Sequence, residues 1–203
     1  MILDPKRHPF KIAYKLMIGS IVPRPIAFVS TINKKGQTNL APFSFFNGVC
    51  PHPPTLIFCP ANRPTDGSKK DTLINIEKTK EFVVNIATED IAERMNQCSG
   101  EYPYGESEFA ISGLTPEPSQ KVKAPGVKES PIRMECELNQ VIHIGEGPGS
   151  GHIVIGTIVL YHVADFLLFD GKIDTQKLKP IGRLAGTEYC RTHDIFEMIR
   201  PKV

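Results

Sequence analysis

Residues 21–47 combine residue types that bind anions and planar rings. Arg24 stands between two prolines, and the hydroxyls of Ser30 and Thr31 close the apolar run that follows. Because each proline fixes its own φ and biases the preceding residue towards extended backbone, Arg24 is expected on a stiff segment. Residues 39–47 then add amides, a hydroxyl and phenylalanines. This mixture suits a ligand that is planar at one end and anionic at the other.

A second segment, residues 62–75, gathers positive charge at a predicted helix start. Its Ser-x-x-Asp sequence, ending at Asp71, matches a capping box and predicts a helix from Lys69. Lys69 and Lys70 would then lie beside free backbone N–H groups, with Arg63 just upstream. Such an arrangement suits a phosphate. The residues by themselves leave open the alternative of a solvated lysine pair on a surface helix.

Other binding chemistries find little support in the sequence. The glycine run 145–151 precedes a β-branched strand instead of a helix, so it does not match a dinucleotide fingerprint. The five cysteines show neither a CxxC pair nor zinc-ligand spacing, and the histidines form no metal motif. We therefore predict no metal site.

The elements that must position these residues are mostly strands. The hydrophobic patterns and turn residues predict strands at 26–32, 40–46, 55–59, 82–87, 132–144 and 153–163, with a late hairpin around Asp170-Gly171. Helices are predicted at 11–17, 69–80 and 89–98. The last two long strands could bend around a barrel. Residues 116–130, rich in Pro, Lys and Ser, are predicted to be a surface excursion.

Length and composition are those of an ordinary globular protein. A chain of 203 residues suits one domain spanning residues 1–203. A net charge of +2, with 23% charged residues, is unlike a nucleic-acid-binding protein. No apolar stretch approaches the ~18 residues needed to span a membrane, and the first ten residues are too polar for a signal peptide. We expect no nucleic-acid or membrane partner and a cytoplasmic location.

An ordered series of motifs covers nearly the whole chain. It runs PRPIAFVST, NLAPFSFFN, PPTLIFCPANR, KKDTLINI and EFVVNI, and continues through GLTP, ECEL, HIVIGTIV and PIGRLAG. The series resembles the flavin reductase-like family of FMN-binding split barrels, most of all its flavoredoxin-like branch. The resemblance implies a mainly β fold, an FMN-binding split β-barrel with a few flanking α-helices. It also implies non-covalently bound FMN and a homodimer with the flavin sites near its interface.

The resemblance also assigns parts of the flavin to parts of the chain. The isoalloxazine would lie along residues 39–47, at Asn39, Ala41, Pro42, Ser44, Phe46 and Asn47. The ribityl chain and its surroundings would be contacted by Arg24, Ser30 and Thr31. The phosphate end would be held by Arg63, Lys70, Asp71 and Thr72, with Asp71 more suited to capping the helix than to touching an anion. Arg183 is a further expected contact, which the partner subunit could supply. No catalytic residue is assigned.

The function within this family stays open at the level of sequence. The flavoredoxin-like match favours electron transfer or reduction through bound FMN. One alternative is an NAD(P)H-dependent flavin or ferric reductase, and another is a flavin-binding protein without turnover. The electron donor could be NAD(P)H or a redox protein, because no nicotinamide-binding determinant is recognisable in the sequence.

Overall fold

The apolar runs of the chain fold into many short strands and two long ones, which a computed structural model describes for residues 2–202. In chain order the strands are β1 Ala27–Ile32, β2 Thr38–Phe43, β3 Phe46–Pro51, β4 Pro54–Phe58, β5 Glu81–Ile86, β6 Pro116–Glu117, β7 Gly126–Val127, β8 Ile132–Ile144, β9 Gly151–Val163, β10 Leu168–Phe169, β11 Lys172–Ile173, β12 Ile181–Arg183 and β13 Tyr189–Arg191. The α-helices are α1 Phe10–Ser20, α2 Asp71–Thr79, α3 Ala92–Gln97, α4 Glu108–Ser112 and α5 Thr175–Leu178. None of the helices within residues 2–202 is long and apolar enough to cross a membrane.

Seven strands form one antiparallel sheet in the order β2-β1-β5-β8-β9-β4-β3. The predicted mainly β split-barrel fold is confirmed, and the strand predicted at 132–144 has those bounds. The predicted late hairpin is also confirmed. Asp170 and Gly171 join β10 to β11 with φ of 49° and 71°, the left-handed backbone that a type I′ turn requires.

The long hairpin of β8 and β9 carries the curvature of the sheet. Its register shifts between Glu135 and Cys136 and again between Leu138 and Gln140. Each such β-bulge bends and twists the strand that contains it. The first half of β8 also pairs with β5, and β9 also pairs with β4.

Strand β1 is buried on both faces, so it separates two apolar clusters. Ala27 and Val29 face a cluster built around Phe58 and Phe82. Ile26 and Phe28 face a second cluster that lies under α3 and α4. The alternation of side chains along a strand explains why a continuous apolar run can serve both clusters.

The predicted strand 40–46 was wrong in extent, because the chain bends at its end. Strand β2 stops at Phe43, residues 44 and 45 form a bend, and β3 begins at Phe46. The Ser44 hydroxyl accepts a hydrogen bond from Arg24 Nε at 3.3 Å, and the Phe45 carbonyl accepts one from the Cys59 N–H at 2.8 Å. These two long-range contacts hold the bend.

The predicted capping box was also wrong, and the helix begins at Asp71 instead of Lys69. The Asp71 carboxylate pairs with Arg63 Nη2 at 2.7 Å, and the Ser68 N–H donates to Asp66 Oδ1 at 2.9 Å. Lys70 therefore stays extended, with φ −69° and ψ 152°, at the N-cap position. The cation beside the helix start is Lys70, one residue before the first turn.

Residues 116–130 were predicted to be a surface excursion, but much of the segment is buried. Val122, Ala124 and Val127 have at most 7% of their surface exposed. The buried carboxylate of Glu135 accepts hydrogen bonds from three successive N–H groups, at residues 120–122. The sheet thus supplies the polar partners that allow this irregular backbone to be buried.

Candidate functional site

A polar pocket opens where the edge strand β2 passes the start of α2. It is lined by seven of the predicted site residues, Asn39, Ala41, Pro42, Arg63, Lys70, Asp71 and Thr72, together with Cys98, Ser99, Gly100, Tyr102 and Glu108. Because β2 is an edge strand, Pro42 costs the sheet no ladder hydrogen bond on its open side. We call this the anion pocket.

Side-chain hydrogen bonds fix α2 against the sheet beside the anion pocket. Asn39 Nδ2 donates to Thr72 Oγ1 at 2.9 Å, and Asn75 Nδ2 donates to Thr31 Oγ1 at 3.1 Å. All four residues are buried. The contacts hold the N-terminal turn of α2 in place relative to β1 and β2, and Asp71 and Thr72 of that turn line the pocket.

Two cations face the pocket, and within residues 2–202 one carboxylate is directly paired with them. Arg63 Nη2 contacts Asp71 Oδ1 at 2.7 Å, and both side chains are largely buried. Partial burial of Lys70, and after it the nearby charge of Arg63, lowers the pKa of the Lys70 ammonium. A bound anion would relieve both effects, because it would stabilise the charged form of Lys70 and offset its repulsion from Arg63. The pocket therefore fits a phosphate group.

Glu108 and Cys98 also line the pocket, and the sequence analysis missed both. Glu108 is the first residue of α4, and its carboxylate accepts the Leu40 N–H at 2.8 Å. Burial raises the pKa of Glu108 to about 7 and that of the Cys98 thiol to about 11. In the local sequence, the apolar Phe109 after Glu108 indicates a helix that faces the core. Nothing nearby indicates that the Glu108 carboxyl lines a pocket.

Arg24 lies outside the anion pocket, in a cage of backbone carbonyls. Its guanidinium donates to the carbonyls of Ile18, Ile21 and Leu184 at 2.6, 2.7 and 2.9 Å, in addition to the hydroxyl of Ser44. Only 4% of the residue is exposed. Burial, and after it the charge of Arg183, lowers its pKa. Arg24 ties α1 and the β2–β3 bend to the chain around Leu184.

Ser30 and Thr31 are fully buried on opposite faces of β1. Ser30 Oγ donates to the Pro125 carbonyl at 2.5 Å, which anchors the segment 116–130, while Thr31 faces α2. Both hydroxyls are engaged with the protein itself. Contact between these hydroxyls and the ribityl chain or its surroundings stays a prediction. The hydrogen bonds that they make within the protein do not favour it.

The remaining predicted residues lie away from the anion pocket. Arg183 forms a backbone bridge with Arg24, and its guanidinium carbon lies 4.4 Å from the centre of the Tyr189 ring. Asn47 is exposed at the beginning of β3. Phe46 lines a separate apolar cleft of about 520 Å³, the β3–β9 cleft, whose other apolar residues include Val49, Leu56, Met134, Ile158 and Tyr161. The structure thus places three of the predicted ring contacts, Asn39, Ala41 and Pro42, in one pocket with the predicted phosphate residues. The other three follow at the bend and on β3, which is the opposite edge strand of the sheet.

Two solved structures resemble the chain along almost its full length. Nitrilotriacetate monooxygenase component B from Bacillus cereus is 40% identical, with 98% of both chains covered and a TM-score of 0.93. The 2-nitrobenzoate 2-nitroreductase NbaA from Pseudomonas fluorescens is 32% identical, with 99% of this chain and 96% of that chain covered and a TM-score of 0.88.

The flavoredoxin of Desulfovibrio vulgaris shares the fold at lower identity. It is 24% identical, covers 88% of this chain and 91% of its own, and has a TM-score of 0.74. A family model described as flavin reductase like domain matches residues 18–175. The predicted family is confirmed, and the chain belongs to the flavin reductase-like family.

Proposed function

We propose that the protein is an oxidoreductase that moves electrons through non-covalently bound FMN. The observation that carries this proposal is the anion pocket, where Arg63, Lys70 and the first turn of α2 converge on one small space beside the edge strand. Arg63, Lys70 and Thr72 would hold the phosphate, and the edge of β2 at Ala41 and Pro42 would support the ring system.

Bound FMN would supply hydride and electron transfer, which needs no acid or base from the protein. The chain would contribute binding and orientation. The hydrogen bonds around Asn39 and Thr72 keep α2 fixed against the sheet, so the phosphate end would be held at one position relative to β2. This arrangement is consistent with the absence of an assigned catalytic residue.

The cofactor is the first point to test. The purified protein should be yellow, and the flavin released by denaturation should run as FMN in chromatography. If the protein is purified without flavin, it should take up FMN at micromolar concentrations. A colourless protein that binds neither FMN nor FAD would contradict the proposal, while FAD in place of FMN would correct only the cofactor.

A second candidate function is direct reduction with NADH or NADPH as the electron donor. The similarity to a monooxygenase component B and to a nitroreductase favours this function over that of a pure electron carrier. Under anaerobic conditions, a reductase should bleach its flavin within seconds of NADH or NADPH addition and should reduce free FMN catalytically. A carrier should respond slowly to nicotinamides but readily to dithionite or a protein donor.

We further propose a homodimer in the cytoplasm as the working form. The β3–β9 cleft supports the dimer, because its apolar side chains are open to solvent along two strands. The physiological electron donor would be either a nicotinamide or a redox protein, and the anaerobic experiment separates these two cases.

A further inference from the structure

Glu108 is a largely buried carboxyl in the wall of the anion pocket. The residue is only 6% exposed, and its Oε2 accepts the Leu40 N–H at 2.8 Å. Within residues 2–202, no other residue donates a hydrogen bond to Oε1, and no fully buried side-chain N or O atom lacks a partner. Oε1 is therefore not completely buried, and the pocket that Glu108 lines is where a ligand could reach it. A buried carboxyl with one free oxygen beside two cations is an unusual wall for a pocket that would hold an anion.

The charges around this carboxyl come from three elements. Arg63 and Lys70 approach from the segment before α2, and Asp71 from α2 itself. Cys98, Glu101 and Tyr102 belong to the connection between α3 and α4, and Glu101 acts on Lys70. Burial is the largest cause of the raised pKa of Glu108, and the negative charge of Asp71 adds to it. The Leu40 N–H, the N–H of Glu108 itself and the charge of Arg63 oppose the rise. With a pKa of about 7, the carboxyl exchanges its proton near neutral pH.

We propose that Glu108 is a specificity-determining residue that binds the flavin phosphate as a neutral carboxylic acid, so that FMN binding takes up one proton. The proposal rests on the proposed function of the pocket. An ionised Glu108 would repel the phosphate, whereas the protonated form offers an O–H donor to a phosphate oxygen. The proton goes from solvent to Oε1, no covalent bond to the ligand forms, and the phosphate stays a dianion.

The pH dependence of binding follows from this coupling. Above pH 7, the free protein must gain a proton before it accepts FMN, so the affinity for FMN should fall by about fivefold between pH 7 and pH 8. The affinity for riboflavin should not follow this trend, since riboflavin has no phosphate. Free FMN loses its second phosphate proton near pH ~6, so measurements at pH 8 avoid that ionisation.

Isothermal titration calorimetry gives the proton count directly. FMN is titrated into the protein at pH 8 in two buffers that differ in ionisation enthalpy, and the difference in binding heat counts the protons exchanged. The expected uptake is close to one proton for FMN and close to zero for riboflavin. Glu108→Gln keeps an N–H donor at the same place, so it should bind FMN without proton uptake and with little change in affinity between pH 7 and pH 8.

Lys70 is the competing source of proton uptake, because an anion would also favour its charged form. Lys70→Arg keeps the charge in a group that does not titrate at these pH values. If Glu108 takes up the proton, Lys70→Arg still shows uptake and Glu108→Gln does not. The reverse pattern overturns the proposal.

The wild-type protein provides a test that does not depend on any variant. A ratio of FMN to riboflavin affinity that stays constant between pH 7 and pH 8 overturns the role of Glu108. If FMN in that case still binds much more tightly than riboflavin, the proposed function of the pocket is retained. If neither flavin binds, both the proposed function and this inference fail.

Discussion

At the scale of single residues, the buried carboxylate of Glu135 holds a segment of backbone that lies outside its own strand. Its carboxylate is fully buried and accepts hydrogen bonds from the N–H groups of residues 120–122 and from His162 Nε2, the last at 2.6 Å. Burial opposes ionisation, but these hydrogen bonds prevail and hold the pKa of Glu135 below its ordinary value. One charged group thereby anchors an irregular segment to the sheet.

Glu135→Ala should therefore destabilise the protein by about 3–5 kcal/mol, because it leaves several buried N–H groups without an acceptor. The stabilising contribution of Glu135 is present above the ordinary pKa of 4.5 and is lost as pH falls through the lowered value. Denaturant unfolding of the apo-protein should thus show a large deficit at pH 7 that shrinks in acid. Glu137→Ala, at an exposed position of the same strand, is the control and should change stability by less than about 0.5 kcal/mol. Equal losses for the two variants would contradict the anchoring role.

Residue types in the sequence were enough to predict that Arg63, Lys70 and Thr72 lie together, but not which other residues line their pocket. Arg63, Lys70 and Thr72 lie within ten positions of one another around a helix start, so a local pattern could reveal them. Glu108 reaches the pocket only because α4 packs against β2, and that contact depends on tertiary structure. For Arg24, in contrast, the sequence suggested a ligand contact, and the structure shows the side chain hydrogen-bonded to the protein itself. Its position between two prolines indicated a special role, but the carbonyl cage that engages it is assembled from distant segments.

At the scale of elements, the position of the Phe82 ring of β5 against β9 depends on Gly156. A Cβ at this position would overlap the ring of Phe82, which is fully buried in the barrel core. The ring also packs against Phe58, with the two ring centres 5.5 Å apart.

Gly156→Ala should accordingly cost about 1–3 kcal/mol of unfolding free energy through overpacking. The matched control is Gly151→Ala in the same strand, where an added Cβ would come no closer than 3.9 Å to the nearest atom beyond the adjacent residues, the Pro60 carbonyl oxygen. Thermal or chemical unfolding of both variants measures the difference. Equal stability of Gly156→Ala and Gly151→Ala would contradict the close contact between Gly156 and Phe82.

The sequence predicted the long strands of the sheet better than its bends. Strands β8 and β9 have thirteen residues each, and their hydrophobic patterns are long enough to define them. The bend at Ser44 and Phe45 and the late start of α2 depend on hydrogen bonds from Arg24, Cys59 and Arg63. Contacts between residues far apart in sequence leave no local pattern, so the predicted bounds failed there.

At the scale of the whole molecule, the β3–β9 cleft indicates how two copies would meet. Val49 and Tyr161 are each more than half exposed at its rim. Exposed apolar patches of this kind often mark interfaces between protein chains. A two-fold axis near the cleft would bring the same apolar strands of both copies together.

We expect light scattering to give twice the mass of one chain. A charge in the cleft should weaken the dimer, because an interface cannot easily bury an unpaired carboxylate. Val49→Asp should therefore shift the protein towards monomer at micromolar concentration. Ile111→Asp, at an exposed position of α4 outside the cleft, should leave the mass unchanged. A wild-type monomer with flavin fully bound would show that the dimer is not needed for binding.

We propose that the anion pocket recognises a flavin through its phosphate, and replacement of Arg63 tests this recognition. Arg63→Ala should weaken FMN binding by about 1.5–3 kcal/mol, or roughly ten- to a hundredfold, and leave riboflavin binding nearly unchanged. Lys69→Ala is the matched control, because Lys69 Nζ pairs with Glu77 at 2.6 Å and should affect neither ligand. Fluorescence titration of both flavins against the wild type and both variants gives the comparison. Equal losses for FMN and riboflavin, or no loss for either, would contradict the claim.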